Sequence, residues 1–348
     1  MGACLGVYLV SGPIKQSRLD MVRLKDIADK AGVTVGSVSK ALSGSPEISA
    51  STAQRVKTAA YEIGYRSKKT SKNTKSIGIV LPEVRSHYYA ELMHSLNDEI
   101  SKYGYSTITM LSGFTTEGVL NAYENMLQHD IKGLFISGVT FLTESLCKRI
   151  IAEGVPTVLF TEYKFPYAID SIYVKTDNVL RLAVEHLKQL GHKKIGYLGE
   201  FNSNVRYDAL CEVLKQNSLE INPKFVKKGK ERFELGGYLR ACELLQEKEL
   251  PTAVITSYDQ MAFGAMRAFF EKGIKVPDDI SIVGVDNLVL DEYLPVQITS
   301  VNSPVQKMGV IAAKLLLDNI GNPSAHVVQN VSLQSKLIIR NSTSSPNR

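Results

Sequence analysis

Basic side chains are concentrated near the start of this 348-residue chain, where they could bind phosphate groups. Residues 14–76 contain 13 Lys and Arg against 5 Asp and Glu, a net charge of +8. The remaining residues contain 28 basic and 30 acidic side chains, a net charge of −2. A basic segment on a nearly neutral body is typical of proteins that contact nucleic-acid phosphates, and a solvated basic surface is the alternative.

Side chains arranged for catalysis or for metal binding are not apparent in the sequence. It contains no GxxxxGK[ST], HExxH or GxSxG motif. Asp259 and Asp286 could be proposed as a glycosidase carboxylate pair, but nothing in their spacing favours this over hydrogen bonding to a ligand. His186 and His192 lack a metal-binding spacing, and the four cysteines form no CxxC pair. We therefore expect no catalytic residue, metal or cofactor, and a reducing, cytoplasmic location.

Three short helices are predicted between residues 24 and 65. Apolar residues recur there at helical spacing: Ile27, Ala31, Val38, Leu42, Val56, Ala60 and Ile63. Gly32 separates the first helix from the second, and Thr34 is placed to cap the second. This layout is typical of a helix-turn-helix unit, whose second helix enters the major groove of DNA.

The residues of this segment are also specific. LKDIADKAGVTVGSVSKALSGSPEIS, followed by RVKTAAYEIGYR, resembles the DNA-binding head of the LacI/GalR (lactose-repressor) family. The resemblance implies that Val35, Gly36 and Lys40 occupy base-reading positions, and that Thr34, Ser37 and Ser39 are placed to bond phosphates. Val35 could instead belong to the core of the head, and Gly36 has no side chain with which to read a base.

The head is assigned to residues 21–66, and residues 67–75 are predicted to form a flexible basic linker. The stretch RSKKTSKNTKS contains four lysines and no apolar residue, and Lys68 and Lys69 could contact phosphates. The Pro-Asn pair and the hinge helix typical of the family are absent from it. Residues 1–20 are interpreted as an added or upstream extension.

Apolar strands alternate with amphipathic helices from Ile77 onwards, in one series that begins with SIGIVLP and another that begins with KKIGYLG. Such alternation predicts doubly wound parallel sheets in two similar lobes with a cleft between them. Residues 76–345 are assigned to this α/β body. The first lobe is predicted at 76–190 and 304–327, and the second at 192–302 and 330–345.

The body also resembles the LacI/GalR family, through EHLKQLGHKKIGYLG, LPTAVITSYDQMAFGAM and GIKVPDDISIVGVDN. The resemblance implies an effector domain related to periplasmic sugar-binding proteins, with its ligand bound beyond the carboxyl ends of the strands. The residues at matching pocket positions are Tyr88, Tyr89, Asp177, Arg206, Phe233, Asp259 and Asp286. Tyr88 or Tyr89 could instead be a core residue, and Asp259 could be a helix N-cap.

Three positions depart from the family pattern. Thr161-Glu162 replaces a common Asp-Arg pair, Tyr258 stands where Asn is frequent, and His87 stands where Pro is usual. An atypical effector, either sugar-like or nucleobase-like, is therefore expected.

The expected function is that of a ligand-responsive, sequence-specific DNA-binding regulator. It would act as a homodimeric repressor whose partners are a double-stranded DNA operator and a small-molecule effector. A solute-binding protein that delivers a sugar to a transporter is the alternative, but it would need a signal peptide and no basic head. A sugar-remodelling enzyme is a third class that no motif supports. No apolar run reaches the roughly 18 residues of a membrane span, so no membrane partner is expected.

Overall fold

The computed structural model describes residues 23–43, 45–63, 65, 75–162, 164–201 and 204–346. The chain divides into two compact units, residues 1–73 and 74–348. The predicted extension at residues 1–20 and the predicted phosphate contacts Lys68 and Lys69 lie outside the described residues. The same is true of the predicted linker, apart from its last residue.

The described part of the first unit is a three-helix head. Its helices are α1 (Leu24–Ala31), α2 (Val35–Leu42) and α3 (Ala50–Glu62). Gly32 ends α1 in the left-handed region, with a φ of 64° that glycine adopts without strain. Ile27, Val38 and Val56, one from each helix, are fully buried. The head thus has its own small core, built from the apolar spacing seen in the sequence.

The second unit contains two lobes, each built on a six-stranded sheet. The first lobe contains β1 (Ser76–Leu81), α4 (His87–Ser101), β2 (Ser106–Leu111), α5 (Thr116–Leu127), β3 (Ile131–Ser137), α6 (Glu144–Glu153), β4 (Thr157–Thr161) and β5 (Asp170–Val174). Helix α7 (Thr176–Gln189) was predicted as part of the first lobe, but its buried side chains pack in the core of the second lobe. The predicted alternation of strands and helices is confirmed.

The second lobe repeats the pattern. It contains β6 (Ile195–Glu200), α8 (Asn204–Gln216), β7 (Val226–Gly229), α9 (Phe233–Leu244), β8 (Ala253–Thr256), α10 (Asp259–Glu271), β9 (Ser281–Asp286) and β10 (Thr299–Asn302). The chain then returns to the first lobe through α11 (Val305–Gly321), which packs against α4. It ends in two short strands, β11 (Asn330–Leu333) and β12 (Leu337–Ile338).

The strand β11 corrects the predicted lobe boundary. Residues 330–345 were predicted to lie in the second lobe, but β11 pairs in parallel with β5 in the sheet of the first lobe. Asp170 anchors this connection, since its Oδ1 accepts a hydrogen bond from the Gln329 amide at 2.7 Å. The last crossover therefore follows Leu333, and β12 joins the second sheet by antiparallel pairing with β10. Among the described strands, this edge strand departs from the predicted parallel pairing.

The strand orders of the two sheets correspond to one another. They are β2-β1-β3-β4-β5-β11 in the first lobe and β7-β6-β8-β9-β10-β12 in the second. The order reverses between β1 and β3, and again between β6 and β8. In open parallel sheets, ligands bind beyond the carboxyl strand ends at such reversal points. A ligand site is therefore expected among the loops that follow these strands.

Two glycines allow α9 and α10 to pack at very short range. A Cβ atom on Gly237 would lie 1.9 Å from the Met261 carbonyl oxygen, and one on Gly264 would lie 1.8 Å from the Glu234 carbonyl oxygen. Both obstacles are backbone atoms, so they cannot move aside as a flexible side chain could. This close contact fixes α9 beside α10, and thereby holds Phe233 and Tyr258 at their amino-terminal ends.

Candidate ligand cleft and nucleic-acid interface

The amino-terminal end of α2 presents an exposed polar surface. Thr34 caps the helix, because its hydroxyl accepts a hydrogen bond from the Ser37 amide at 3.1 Å. The hydroxyl oxygens of Thr34 and Ser37 also lie 2.9 Å apart. Val35 is 45% exposed and outside the core, so the core alternative for this residue is wrong. Thr34, Val35 and Ser37 therefore form one accessible surface at the helix end that such units insert into the major groove.

Gly36 lies on the same surface, and no contact among the described residues requires a glycine there. A Cβ atom at this position would meet only the Thr34 hydroxyl, at 3.8 Å. Ser39 is exposed, and the Lys40 ammonium group forms an exposed ion pair with Glu47. A base or phosphate contact by Lys40 therefore requires an exchange of partners at the protein surface.

A cavity of about 200 Å³ lies between the two lobes of the second unit, at the carboxyl ends of their strands. Five of the seven predicted ligand residues line it: Tyr88, Tyr89, Arg206, Phe233 and Asp286. The structure thus brings together residues that are up to about two hundred positions apart in the chain. Asp177 and Asp259 do not line this cavity.

Arg206 joins the two lobes across the cleft. Its Nη2 lies 3.2 Å from Glu162 Oε1, and its Nε donates to the same oxygen at 3.3 Å. Its Nη1 donates to the Ser257 carbonyl oxygen. Glu162 follows β4 in the first lobe, whereas Arg206 belongs to α8 in the second. Glu162, which departs from the family pattern, is thus the ion-pair partner of Arg206.

Asp286 ends β9 at the edge of the cavity, with a φ of 107° that is uncommon outside glycine. Its Oδ1 accepts a hydrogen bond from the Ser303 hydroxyl at 2.8 Å. Burial raises the pKa of Asp286 to about 6, although the positive charge of Arg206 opposes this rise. The carboxyl can therefore change its charge in mildly acidic solution.

Glu200 and Arg232 also line the cleft, although neither was predicted from the sequence. Glu200 ends β6 and pairs with Arg232, and its burial raises the pKa of its carboxyl. The Arg232 guanidinium lies 4.0 Å from the Phe114 ring centre and 5.2 Å from that of Phe233. Glu200 could have been found as the polar residue that closes the strand IGYLGE. No pattern in the sequence points to Arg232.

Aromatic rings form the apolar walls of the cavity. Tyr88 and Tyr89 meet edge to face, with ring centres 5.2 Å apart, and Phe114 lies 6.4 Å from Tyr89. Both tyrosines also pack on the core of the first lobe, so they serve the core and the cavity at once. Desolvation raises the pKa of the Tyr88 hydroxyl well above its usual range, so that it stays protonated as a hydrogen-bond donor.

The predictions for Asp259 and Asp177 require correction. Asp259 is fully buried; its carboxylate accepts hydrogen bonds from the Ser300 hydroxyl at 2.7 Å and the Leu288 amide at 3.1 Å. It therefore ties α10 to β10 and the loop after β9, behind the cavity wall, and it is not an N-cap, since that position belongs to Tyr258. Asp177 is exposed in the first turn of α7 and lines a separate depression.

No group of His, Cys, Asp or Glu side chains that could hold a metal ion occurs in the described part of the chain. Within the same residues, no helix is both long enough and apolar enough to cross a membrane.

Two family models match the chain. The bacterial regulatory proteins of the lacI family match residues 23–68, and the periplasmic binding protein-like domain matches residues 184–343. The first match contains the described head, and the second contains most of the second lobe and α11. Together they connect the helix-turn-helix and the cleft to one known arrangement of domains.

Similarity to individual relatives extends over most of the chain. The HTH-type transcriptional repressor PurR of Haemophilus influenzae is 29% identical, over 93% of this chain and 99% of that protein. Catabolite control protein A of Priestia megaterium is also 29% identical, over 85% of this chain and 91% of its own length. A crystal structure of the lac repressor dimer, bound to operator and the anti-inducer ONPF, is 25% identical with a TM-score of 0.72, covering 93% of this chain and 99% of that chain. Both units of the chain are thus similar to transcriptional regulators of the LacI family.

Proposed function

We propose that this chain is a ligand-responsive, sequence-specific DNA-binding repressor that acts as a homodimer on a pseudo-palindromic operator. The observation that carries the proposal is the joining, in one chain, of an exposed helix-turn-helix surface and a two-lobed ligand cleft. A sugar-like or nucleobase-like effector binds in the cleft and shifts the population between lobe arrangements that differ in DNA affinity. Such a protein acts in the cytoplasm, where it meets operator DNA.

The relatives support this proposal, since PurR is named as a transcriptional repressor and the lac repressor structure contains an operator. The alternative of a transporter-associated solute-binding protein is not favoured, because the matched lacI-family head has no role there. No observation favours an enzyme.

Selection of DNA sites by the full chain tests the proposal directly. Random duplexes would be selected at fixed salt concentration and sequenced, and the enriched sites would be checked by footprinting. We expect a motif with two related half-sites, bound at least roughly a thousand-fold more tightly than random DNA. Binding that shows no preference over random DNA would contradict the proposal.

A substitution at Thr34 is expected to weaken DNA binding while it leaves the folding of the head nearly unchanged. In the proposed interface, the Thr34 hydroxyl caps α2 and bonds a phosphate. Thr34→Asp keeps a good N-cap but places a negative charge against that phosphate, so we expect operator affinity to fall about tenfold or more. The stability of the head should change by less than about 0.5 kcal/mol. Fluorescence anisotropy with the selected operator and thermal unfolding measure the two quantities.

Thr34→Ser is the matched control, because it keeps both the cap and the neutral hydroxyl. It should bind the operator as the wild type does. Unchanged operator affinity in the Thr34→Asp protein would show that this surface does not face DNA.

Because the pKa of Asp286 is raised, effector affinity is expected to depend on pH. In the proposed ligand site, the ionised carboxylate accepts hydrogen bonds from effector hydroxyls. Because the pKa in the ligand-free protein is raised to about 6, protonation competes with the effector below that value. Effector affinity should therefore fall as pH decreases through 6, by up to about tenfold per pH unit. Calorimetry between about pH 5 and about pH 7 measures this, and a flat profile would exclude Asp286 from the ligand contacts.

A further inference from the structure

The charged side chains that line the cleft are arranged as pairs of opposite sign. Two arginines line the cavity, and each already has a carboxylate partner: Arg206 pairs with Glu162, and Arg232 pairs with Glu200. A third carboxylate, that of Asp286, has no ion-pair partner within 4.0 Å among the described residues. Of the residues lining the cavity, none is a lysine. The lining therefore has no excess positive charge with which to attract an anion.

We propose that the cleft selects an uncharged, hydroxyl-bearing ring and rejects phosphorylated or carboxylated compounds, with Glu162 and Glu200 as the residues that set this preference. The inference rests on the proposed function, in that it takes the cleft to be the effector site. An anion entering the cavity meets Glu162, Glu200 and Asp286, whereas a cation meets two guanidinium groups. The Glu200 side chain is only 8% exposed, so its repulsion of an anion is weakly screened, whereas the Glu162 side chain is 43% exposed and its repulsion is screened more strongly.

An uncharged ring fits the same lining without breaking either ion pair. The aromatic rings of the cavity wall offer flat apolar surfaces to the faces of a ring. Asp286 can accept hydrogen bonds from hydroxyl groups, and the Tyr88 hydroxyl can donate one. The Arg232 Nε is buried and has no hydrogen-bond partner among the described residues, so a neutral oxygen of the ligand would satisfy it. A phosphate, in contrast, would have to displace Glu162 from Arg206 and leave that carboxylate unpaired.

Inorganic phosphate tests the charge preference before the effector is known. Calorimetric titration of the full chain would compare the wild type with Glu162→Gln and Glu200→Gln, which keep the side-chain shape and remove the charge. Glu144→Gln is the control, since Glu144 forms an exposed pair with Lys148 on α6, outside the cavity. We expect no phosphate binding by the wild type or the control. Glu162→Gln should bind phosphate with a millimolar Kd, at least tenfold lower than any Kd that the titration could detect for the wild type.

Two results would overturn the proposal. One is phosphate binding by the wild type as tight as that by Glu162→Gln. The other is a failure of both Glu162→Gln and Glu200→Gln to gain phosphate binding while circular dichroism shows them folded. A further titration compares glucose with glucose 6-phosphate. Tighter binding of glucose 6-phosphate than of glucose to the wild type would also contradict the proposal.

The proposed function is tested separately by DNA-site selection. A preparation that selects an operator and binds phosphate would refute the charge preference alone. The repressor function alone would be refuted by a different pair of results. In these, the wild type rejects phosphate and Glu162→Gln binds it, but the wild type selects no DNA motif.

Discussion

Replacing Arg206 by alanine is expected to weaken effector binding by about 100-fold or more. Arg206 lines the cavity and contacts both Glu162 and the Ser257 carbonyl oxygen, so its guanidinium is held in place before a ligand arrives. Loss of a charged hydrogen-bonding group that is fixed in this way costs about 3 kcal/mol of binding free energy, which corresponds to roughly two orders of magnitude in Kd. Operator binding without effector should persist, because the head is unchanged.

The measurement begins with thermal-shift screening of pentoses, hexoses and purines against the wild type. Calorimetry with the compound found would then compare wild type and variant. Arg181→Ala is the matched control, since Arg181 lies on α7 outside the cavity in an exposed pair with Glu185. It should retain wild-type affinity. An Arg206→Ala protein whose affinity stays within threefold of the wild type would move the effector site away from this arginine.

A substitution at Gly264 is expected to destabilise the second lobe by about 3 kcal/mol or more. Even the Cβ of alanine would lie 1.8 Å from the Glu234 carbonyl oxygen and 2.6 Å from the Tyr238 amide nitrogen. Helices α9 and α10 must therefore move apart, with loss of packing along their whole contact. This penalty exceeds the roughly 1 kcal/mol by which alanine normally stabilises a helix relative to glycine.

Gly321→Ala provides the comparison for Gly264→Ala. Gly321 is the last residue of α11, and its Cβ would meet no atom within 4 Å. We expect Gly321→Ala to unfold at the same urea concentration as the wild type or a higher one. Gly264→Ala should unfold at a clearly lower concentration. Equal midpoints for Gly264→Ala and the wild type would mean that the two helices can separate at no cost.

Much of the fold was predictable because strand and helix periodicities are local properties of the sequence. The last crossover was not, since β11 has four residues and β12 has two. Both strands are at most partly buried and no described helix follows either of them, so they lack the apolar run and the strand-helix alternation by which the other strands were predicted. Pairing with β5 is decided by contacts such as that between Asp170 and Gln329, which are distant in the chain.

The candidate site was predictable to the extent that strand ends determine it. Arg206 and Asp286 line the cleft as the family resemblance implied. Asp259 also lies shortly after a strand, beyond the end of β8, yet its side chain accepts a hydrogen bond from Ser300 and does not line the cavity. Sequence position identifies the end of a strand, but it does not give the direction of the side chain there. The Glu162–Arg206 pair was equally hidden, because its members come from different lobes.

The return of α11 and β11 to the first lobe has a consequence for synthesis on the ribosome. The sheet of that lobe lacks its edge strand until residue 333 has been made, roughly 140 residues after α7 ends. At about 5–20 residues per second, this interval lasts on the order of ten seconds or more. During that time β5 has an unpaired edge that can accept a strand from another chain. The strands of the second lobe up to β10 are all synthesised within the same interval, so both sheets receive an edge strand only when residues 330–338 have been made.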